Sequence, residues 1–308
     1  MPLPQLLLAA CLTAVGCKPA TAPVQPKTLL IGVDGIQLEP YESLGPGTTL
    51  SKRLHYGKAF TGGVSGQPSE QATLAGPGWM TVLTGVWANK HGVINDDEKW
   101  RLAPSYPSLF GRLRAAKPNA YLSSVVNWPA INTAFLLRDA PLIDVRESGL
   151  DDQQVIDRSV QIIRGTPADF TFIQLGDPER VGRDNGFGHR YQQALRTADL
   201  RIGRMLDEVE ARSYRHPEED WLVIVTTDHG RDERGRGHGQ GSTQEKTIFF
   251  ASNRAFDLQA SEASAPRQNS NALYQFVPQT AIAPTVLRHM RVELQPQWHL
   301  DGAPLRNR

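Results

Sequence analysis

The segment TTDHGRDERGRGHG, Thr226–Gly239, sets a carboxylate and an imidazole side by side at Asp228 and His229. It returns a second imidazole nine residues later, at His238. Two other apolar runs also end in aspartate: TLLIGVDG (Thr28–Gly35) delivers Asp34, and FTFIQLGD (Phe170–Asp177) delivers Asp177. One acid at a strand end is commonly the cap of the next helix. Three of them, one beside a histidine, would repel one another and raise each other's pKa. A bound divalent cation removes that conflict. Oxygen and nitrogen donors without thiolate suit Zn²⁺ or Mn²⁺ and suit Mg²⁺ less well. Two such ions about 4 Å apart are suited to phosphoryl transfer, where they clamp the attacking and leaving oxygens.

A second stretch offers a place for an anion. SEQATLAGPGWMTVLTGVWANKHG starts at Ser69 and reads as a polar approach, an Ala-Gly-Pro-Gly turn and a short apolar helix stopped at Thr84-Gly85. Pro77 suits the first turn of that helix, and a helix N-terminus attracts negative charge. The hydroxyl nearest the turn is Thr73, while Ala75 at its corner carries only a methyl group.

These residues need a scaffold that brings strand ends together. AYLSSVVNW (Ala120–Trp128), WLVIVTTDHG (Trp221–Gly230) and KTIFFASN (Lys246–Asn253) add strands to the two already named. Helical patterns fall at Ser108–Ala115, Asp151–Arg164, His189–Arg212 and Thr280–Met290. In the third, Ala194, Leu195, Ala198, Ile202, Met205 and Leu206 form one apolar stripe. Alternating strands and helices predict an α/β fold, three-layer α/β/α with a central, mostly parallel sheet. Ligands of such sheets bind at the carboxyl ends of strands.

The chain resembles the alkaline phosphatase superfamily, in its type I phosphodiesterase/nucleotide pyrophosphatase-like and sulfatase-like branch. The resemblance runs from Thr28 to Leu305. It rests on LLIGVDG, GPGWMTVLTGVWANKHGV, ALRTADLRIGRML, VIVTTDHG with GHG, and QTAIAPTVLRHMRVELQPQWHLDG, in that order and spacing. It implies the same α/β/α fold, two divalent metal ions, usually zinc, and hydrolysis of a phosphate mono- or diester through a covalent intermediate. Carried over, Asp34, Asp228 and His229 would hold one ion and His238 would sit on the other. In GDPERVGRDNGFG (Gly176–Gly188), Glu179 takes the slot of a metal-ligating acid and Arg183 that of a histidine, with Asp177 as the other candidate acid.

Three departures accompany the resemblance. The nucleophile slot holds Ala75, the slot of a phosphoryl-binding asparagine holds Asp96 with Asn95 before it, and Arg183 replaces a histidine. Either Thr73 or an ion-activated water then attacks, with Arg183 binding the substrate anion, or the chain is an impaired member that binds metal and an anionic ligand. Asn127 at a strand end and Trp79 on the helix are further candidates for the substrate pocket. His91 is read as bonded to a carbonyl or as a cap, and RDERGRG (Arg231–Gly237) as a solvated loop or a rim for an anion. A sulfatase reading is weakened because the cysteine/serine motif of that modified nucleophile is missing.

Composition excludes other classes. Formal net charge is +1 over 308 residues, so bulk charge gives no nucleic-acid-binding signal; the expected partner is a small phosphate-ester anion. The two cysteines, Cys11 and Cys17, both lie in the apolar leader, so the body has neither a disulfide nor a thiolate metal site. Leu6–Gly16 resembles a secretory h-region, and AVGC (Ala14–Cys17) resembles a lipoprotein cleavage box, although no Lys or Arg precedes them. The expected layout is a signal peptide and lipobox at 1–17, a Pro/Ala-rich tether at 18–26 and one hydrolase domain at 27–308. The expected location is periplasmic or cell-envelope, with a lipid anchor on Cys17.

Overall fold

The computed structural model describes residues 23–259 and 272–308. The leader, the cleavage box and Cys17 lie outside the described residues. The first strand begins two residues before the expected domain boundary.

Eight strands form one sheet: β1 (Gln25–Val33), β2 (His55–Phe60), β3 (Leu122–Val126), β4 (Val145–Ser148), β5 (Phe170–Leu175), β6 (Glu219–Thr226), β7 (Thr247–Ser252) and β8 (Val277–Pro278). Their spatial order is β4-β3-β5-β1-β6-β7-β2-β8. Every pairing is parallel except the two made by β7. The helices are α1 (Leu38–Glu42), α2 (Thr49–Arg53), α3 (Ala75–Thr84), α4 (Ala88–His91), α5 (Leu109–Ala116), α6 (Asp152–Gly165), α7 (Asp177–Asn185), α8 (His189–Arg215), α9 (Thr243–Lys246) and α10 (Ile282–His289).

The period of two along β1 builds both faces of the sheet. Leu29, Ile31 and Val33 pack with α6 and α8 residues such as Ile156, Ile163, Leu195 and Ile202. Leu30 points the other way, into a core with Trp79 and Met80 of α3, Phe110 of α5 and Val286 of α10. The result is the expected three-layer α/β/α arrangement, whose middle strands are buried along almost their whole length because both faces are covered. Among the described residues, no helix is long and apolar enough to cross a membrane.

Local signals set the helix ends. Asp151 and Gln154 form a capping box on α6. Gly85 ends α3 at φ 76°, a left-handed conformation that glycine adopts without penalty. The Ala-Gly-Pro-Gly stretch differs from its sequence reading. It is the first turn of α3, which starts at Ala75, so Pro77 lies in the turn where its missing N–H costs nothing.

Candidate metal and anion site

Seven strands run in one direction, and their carboxyl ends gather the chemistry at a single edge. Asp34 follows β1, Thr73 and Ala75 follow β2, Asn127 follows β3, Glu179 and Arg183 follow β5, and Asp228 and His229 follow β6. Strand β1 lies between β5 and β6, so the residues that follow these three strands are neighbours at that edge.

Asp34, Asp228 and His229 converge, with one donor atom from each within 4.8 Å of the others. The His229 Nε2 lies 3.3 Å from Asp228 Oδ2 and 3.8 Å from Asp34 Oδ1. All three atoms are buried and lack any hydrogen-bond partner. The other atoms of these side chains are held. Asp34 Oδ2 accepts from Trp79 Nε1 at 3.3 Å and from Gln174 Nε2 at 3.2 Å. Asp228 Oδ1 accepts from the Thr227 hydroxyl, 3.2 Å away. His229 Nδ1 donates to the Gly230 carbonyl at 2.9 Å, which leaves the Nε2 lone pair facing both acids.

Three aimed lone pairs in a dry site repel one another unless a cation lies between them. Without one, burial first, and then the Glu179 charge, pushes Asp34 up to about 7. Burial and the Asp34 charge raise Asp228 well above the carboxylate range, while burial holds His229 down to about 3. The donor set and its unpartnered atoms therefore fit a divalent ion.

Glu179, His229 and His238 form an overlapping group. Here the atoms of the first and third residues are already engaged. Glu179 Oε1 lies 3.2 Å from His238 Nε2, and its Oε2 pairs with the fully buried Arg231. His238 Nδ1 donates to the Thr73 carbonyl at 3.1 Å, and its ring stacks on His229 with centroids 3.9 Å apart. Burial alone would raise Glu179. The His238 hydrogen bond and the nearby cationic groups outweigh burial and hold it to about 2. Gly35, at φ 70°, makes this packing possible, because a Cβ there would lie 2.6 Å from Glu179 and 2.8 Å from Arg231.

The two acids left open by the sequence separate on the structure. Asp177 and Glu179 are two positions apart on α7, on opposite faces of the helix. Asp177 points outward to Arg180 and Arg201, each at 2.7 Å, and stands apart from both groups above. Glu179 and Arg183, four positions apart, share the face that lines the crevice.

That crevice is a cavity of about 240 Å³ whose wall includes Asp34, Ala75, Asp96, Asn127, Arg183 and His238. Arg183 is exposed, and no described residue pairs with it. Asn127 donates from Nδ2 to the Leu150 carbonyl at 2.8 Å, so its carbonyl side is the part left for a ligand.

Three candidates have other roles. Thr73 corrects the idea of an attacking hydroxyl: it donates to Glu245 Oε2 at 2.6 Å and accepts from the amides of Gly239 and Gly241 at 3.0 and 3.1 Å. Both lone pairs and the proton are thus taken. Trp79 has no exposure and orients Asp34 from inside the core instead of facing substrate. Asn95 braces its own loop by accepting from Asp97 N at 2.9 Å and Trp100 Nε1 at 2.6 Å. His91 is fully buried, 3.2 Å from the Thr81 hydroxyl, and accepts the Val93 amide at Nδ1.

Sequence reading passed over Gln174, Arg231 and Glu245. A glutamine inside the apolar run FTFIQLGD was a visible signal. Arg231 was read as part of a solvated loop, yet it is fully buried against Glu179, and nothing local to it announces that.

No family model matches the chain, and no curated protein matches it. Solved structures do. A 2-O GAG sulfatase superposes with a TM-score of 0.55 at 12% identity, covering 88% of this chain and 72% of that one. The lipoteichoic acid synthase LtaP from Listeria monocytogenes gives 0.52 at 10%, covering 87% and 72%. The C-terminal periplasmic domain of EcEptC from Escherichia coli gives 0.52 at 13%, covering 88% and 86%. At such identities the likeness establishes architecture alone: the chain shares the α/β fold of these sulfatase and synthase structures.

Proposed function

We propose that this chain is a metal-dependent hydrolase of phosphate esters acting on a small anionic substrate. The observation that carries the reading is the convergence of three buried, unpartnered donor atoms, from Asp34, Asp228 and His229, beside a cavity that presents an unpaired Arg183. A divalent ion bound there, Zn²⁺ or Mn²⁺ by its donors, supplies neutralisation of the two carboxylates and polarisation of an ester oxygen.

The chain's own groups do the rest. Trp79 and Gln174 hold Asp34 in place, and the Gly230 carbonyl fixes the tautomer of His229. Arg183 draws the substrate anion by charge. The resemblance implied two ions. The proposal takes one, because Arg231 already neutralises Glu179 and His238 is hydrogen-bonded at both nitrogens.

The methyl group at Ala75 favours a second reading, an impaired protein that binds metal and an anion without turnover. Protein loaded with Zn²⁺ or Mn²⁺ and offered aryl phosphate monoesters, aryl phosphate diesters and aryl sulfates separates the cases. The first reading expects metal-dependent phosphate release that Asp228→Asn abolishes. Ion binding without turnover selects the second, and faster release from the sulfate removes the phosphate assignment. Export to the periplasm or cell envelope, with Cys17 as the anchor, belongs to the same proposal; its support is the apolar leader, and fractionation of a Cys17→Ser variant tests it.

A further inference from the structure

The cavity beside the ion trio is lined by no serine, threonine or cysteine. Four of its side chains could attack an electrophile: Asp34, Asp96, Glu179 and His238. Asp34 has one oxygen held by Trp79 and Gln174 and the other turned to the ion site. Glu179 has both oxygens engaged, by Arg231 and His238. His238 has both ring nitrogens engaged. Asp96 alone has an uncommitted atom. Its Oδ1 accepts from the Gly76 amide at 2.7 Å, and no described residue bonds to Oδ2.

Asp96 is also fixed. Asn95 ties the following turn together through Asp97 N and Trp100 Nε1. The amide on Oδ1 belongs to the first turn of the ten-residue helix α3, so positive partial charge faces the carboxylate and any anionic group beside it. Ala75, with no side-chain hydroxyl, leaves the wall next to Asp96 open.

We infer that Asp96 is the attacking group of this site. The inference rests on the ester-hydrolase reading above. In the first step a bond forms between Asp96 Oδ2 and phosphorus while the phosphorus–oxygen bond to the leaving alcohol breaks, and that oxygen departs with the electron pair. In the second step water attacks phosphorus and the Asp96–phosphorus bond breaks, which restores the carboxylate. The proton released by water balances the one taken up by the alkoxide. The sum is ester plus water giving a phosphate product and an alcohol, with no other reactant.

The test uses the metal-loaded full chain with bis-p-nitrophenyl phosphate. Asp96→Asn keeps an oxygen for the Gly76 amide, so ion binding and folding are expected to persist while turnover falls on the order of 10³-fold or more. Wild-type protein quenched during turnover and reduced with borohydride is expected to carry homoserine at position 96, as an acyl phosphate would give. Turnover of Asp96→Asn at the wild-type rate, or unmodified Asp96 after trapping of an active enzyme, overturns the inference and leaves the hydrolase reading standing. A wild-type protein that binds the ion but releases no p-nitrophenolate sinks both.

Discussion

Removing the ion offers the most informative perturbation. A carboxylate oxygen of Asp34 and one of Asp228 lie within 4.8 Å of each other in a buried site. At an effective dielectric constant of about 20, two unit charges at that distance repel by about 3–4 kcal/mol. A divalent ion converts the repulsion into attraction, so folding and binding are linked. Free metal at about a hundredfold over its Kd stabilises the fold by about 2.7 kcal/mol. For a domain of this size that corresponds to roughly 5 °C in Tm. The assay is calorimetry on protein first shown by elemental analysis to be metal-loaded, with and without chelator, at fixed pH. One ion per chain and a Tm drop of several degrees are expected, and Asp228→Asn should abolish the response. Glu179→Gln should weaken it far less. An unchanged transition after demonstrated metal loss would refute the reasoning. So would two tightly bound ions that both depend on Glu179, because Arg231 could not then be serving as the internal cation.

Other expectations follow from single side chains. Burial pushes His91 down to about 3, so it stays neutral in the fold and takes a proton on unfolding below about 6.5. Its contribution is full above that pH and is lost as pH falls toward 3, with a slope of about 1.4 kcal/mol per pH unit; urea unfolding of His91→Gln should show a shallower acid decline. Thr73→Val removes a donor from Glu245 and leaves the Gly239 amide without its partner, while the Gly241 amide keeps Glu245. A stability loss of about 1–3 kcal/mol is expected, with turnover reduced through a displaced His238; loss of all turnover at unchanged stability would restore Thr73 as the attacking group. Gly78→Ala places a Cβ 2.7 Å from the Asp228 carbonyl oxygen. Ion affinity measured by titration should fall while the helix content seen by circular dichroism is retained, and unaltered affinity would show that α3 can yield at that contact.

Strands β1, β5 and β6 were legible because a strand covered on both faces is mostly apolar, and each of those runs ended in an acid. Strands β2, β4 and β8 were not legible. HYGKAF mixes polar and apolar positions, VRES is a partly exposed edge, and β8 has two residues. The trio of Asp34, Asp228 and His229 could be assembled from local motifs because all three sit directly on strand ends. The partners that decide roles were out of reach. Thr73 meets Glu245 across 172 positions, and Arg231 meets Glu179 across 52. Asp177 and Glu179 could be told apart only once the segment was known to be helical.

The reversed direction of β7 has a wider meaning. Because β7 runs against β6, it begins at the edge where β6 ends, so the chain between Thr226 and Thr247 leaves and re-enters the sheet through neighbouring strands. Asp228, His229, Arg231, His238 and Glu245 all belong to this one excursion. Its two feet stay in register whatever the length between them, and lengthening a loop costs only about 0.6 kcal/mol per doubling. The excursion is therefore a replaceable cassette. Variation confined to it could change the ion, the internal cation or the rim of the cavity while the eight-stranded frame remains as it is.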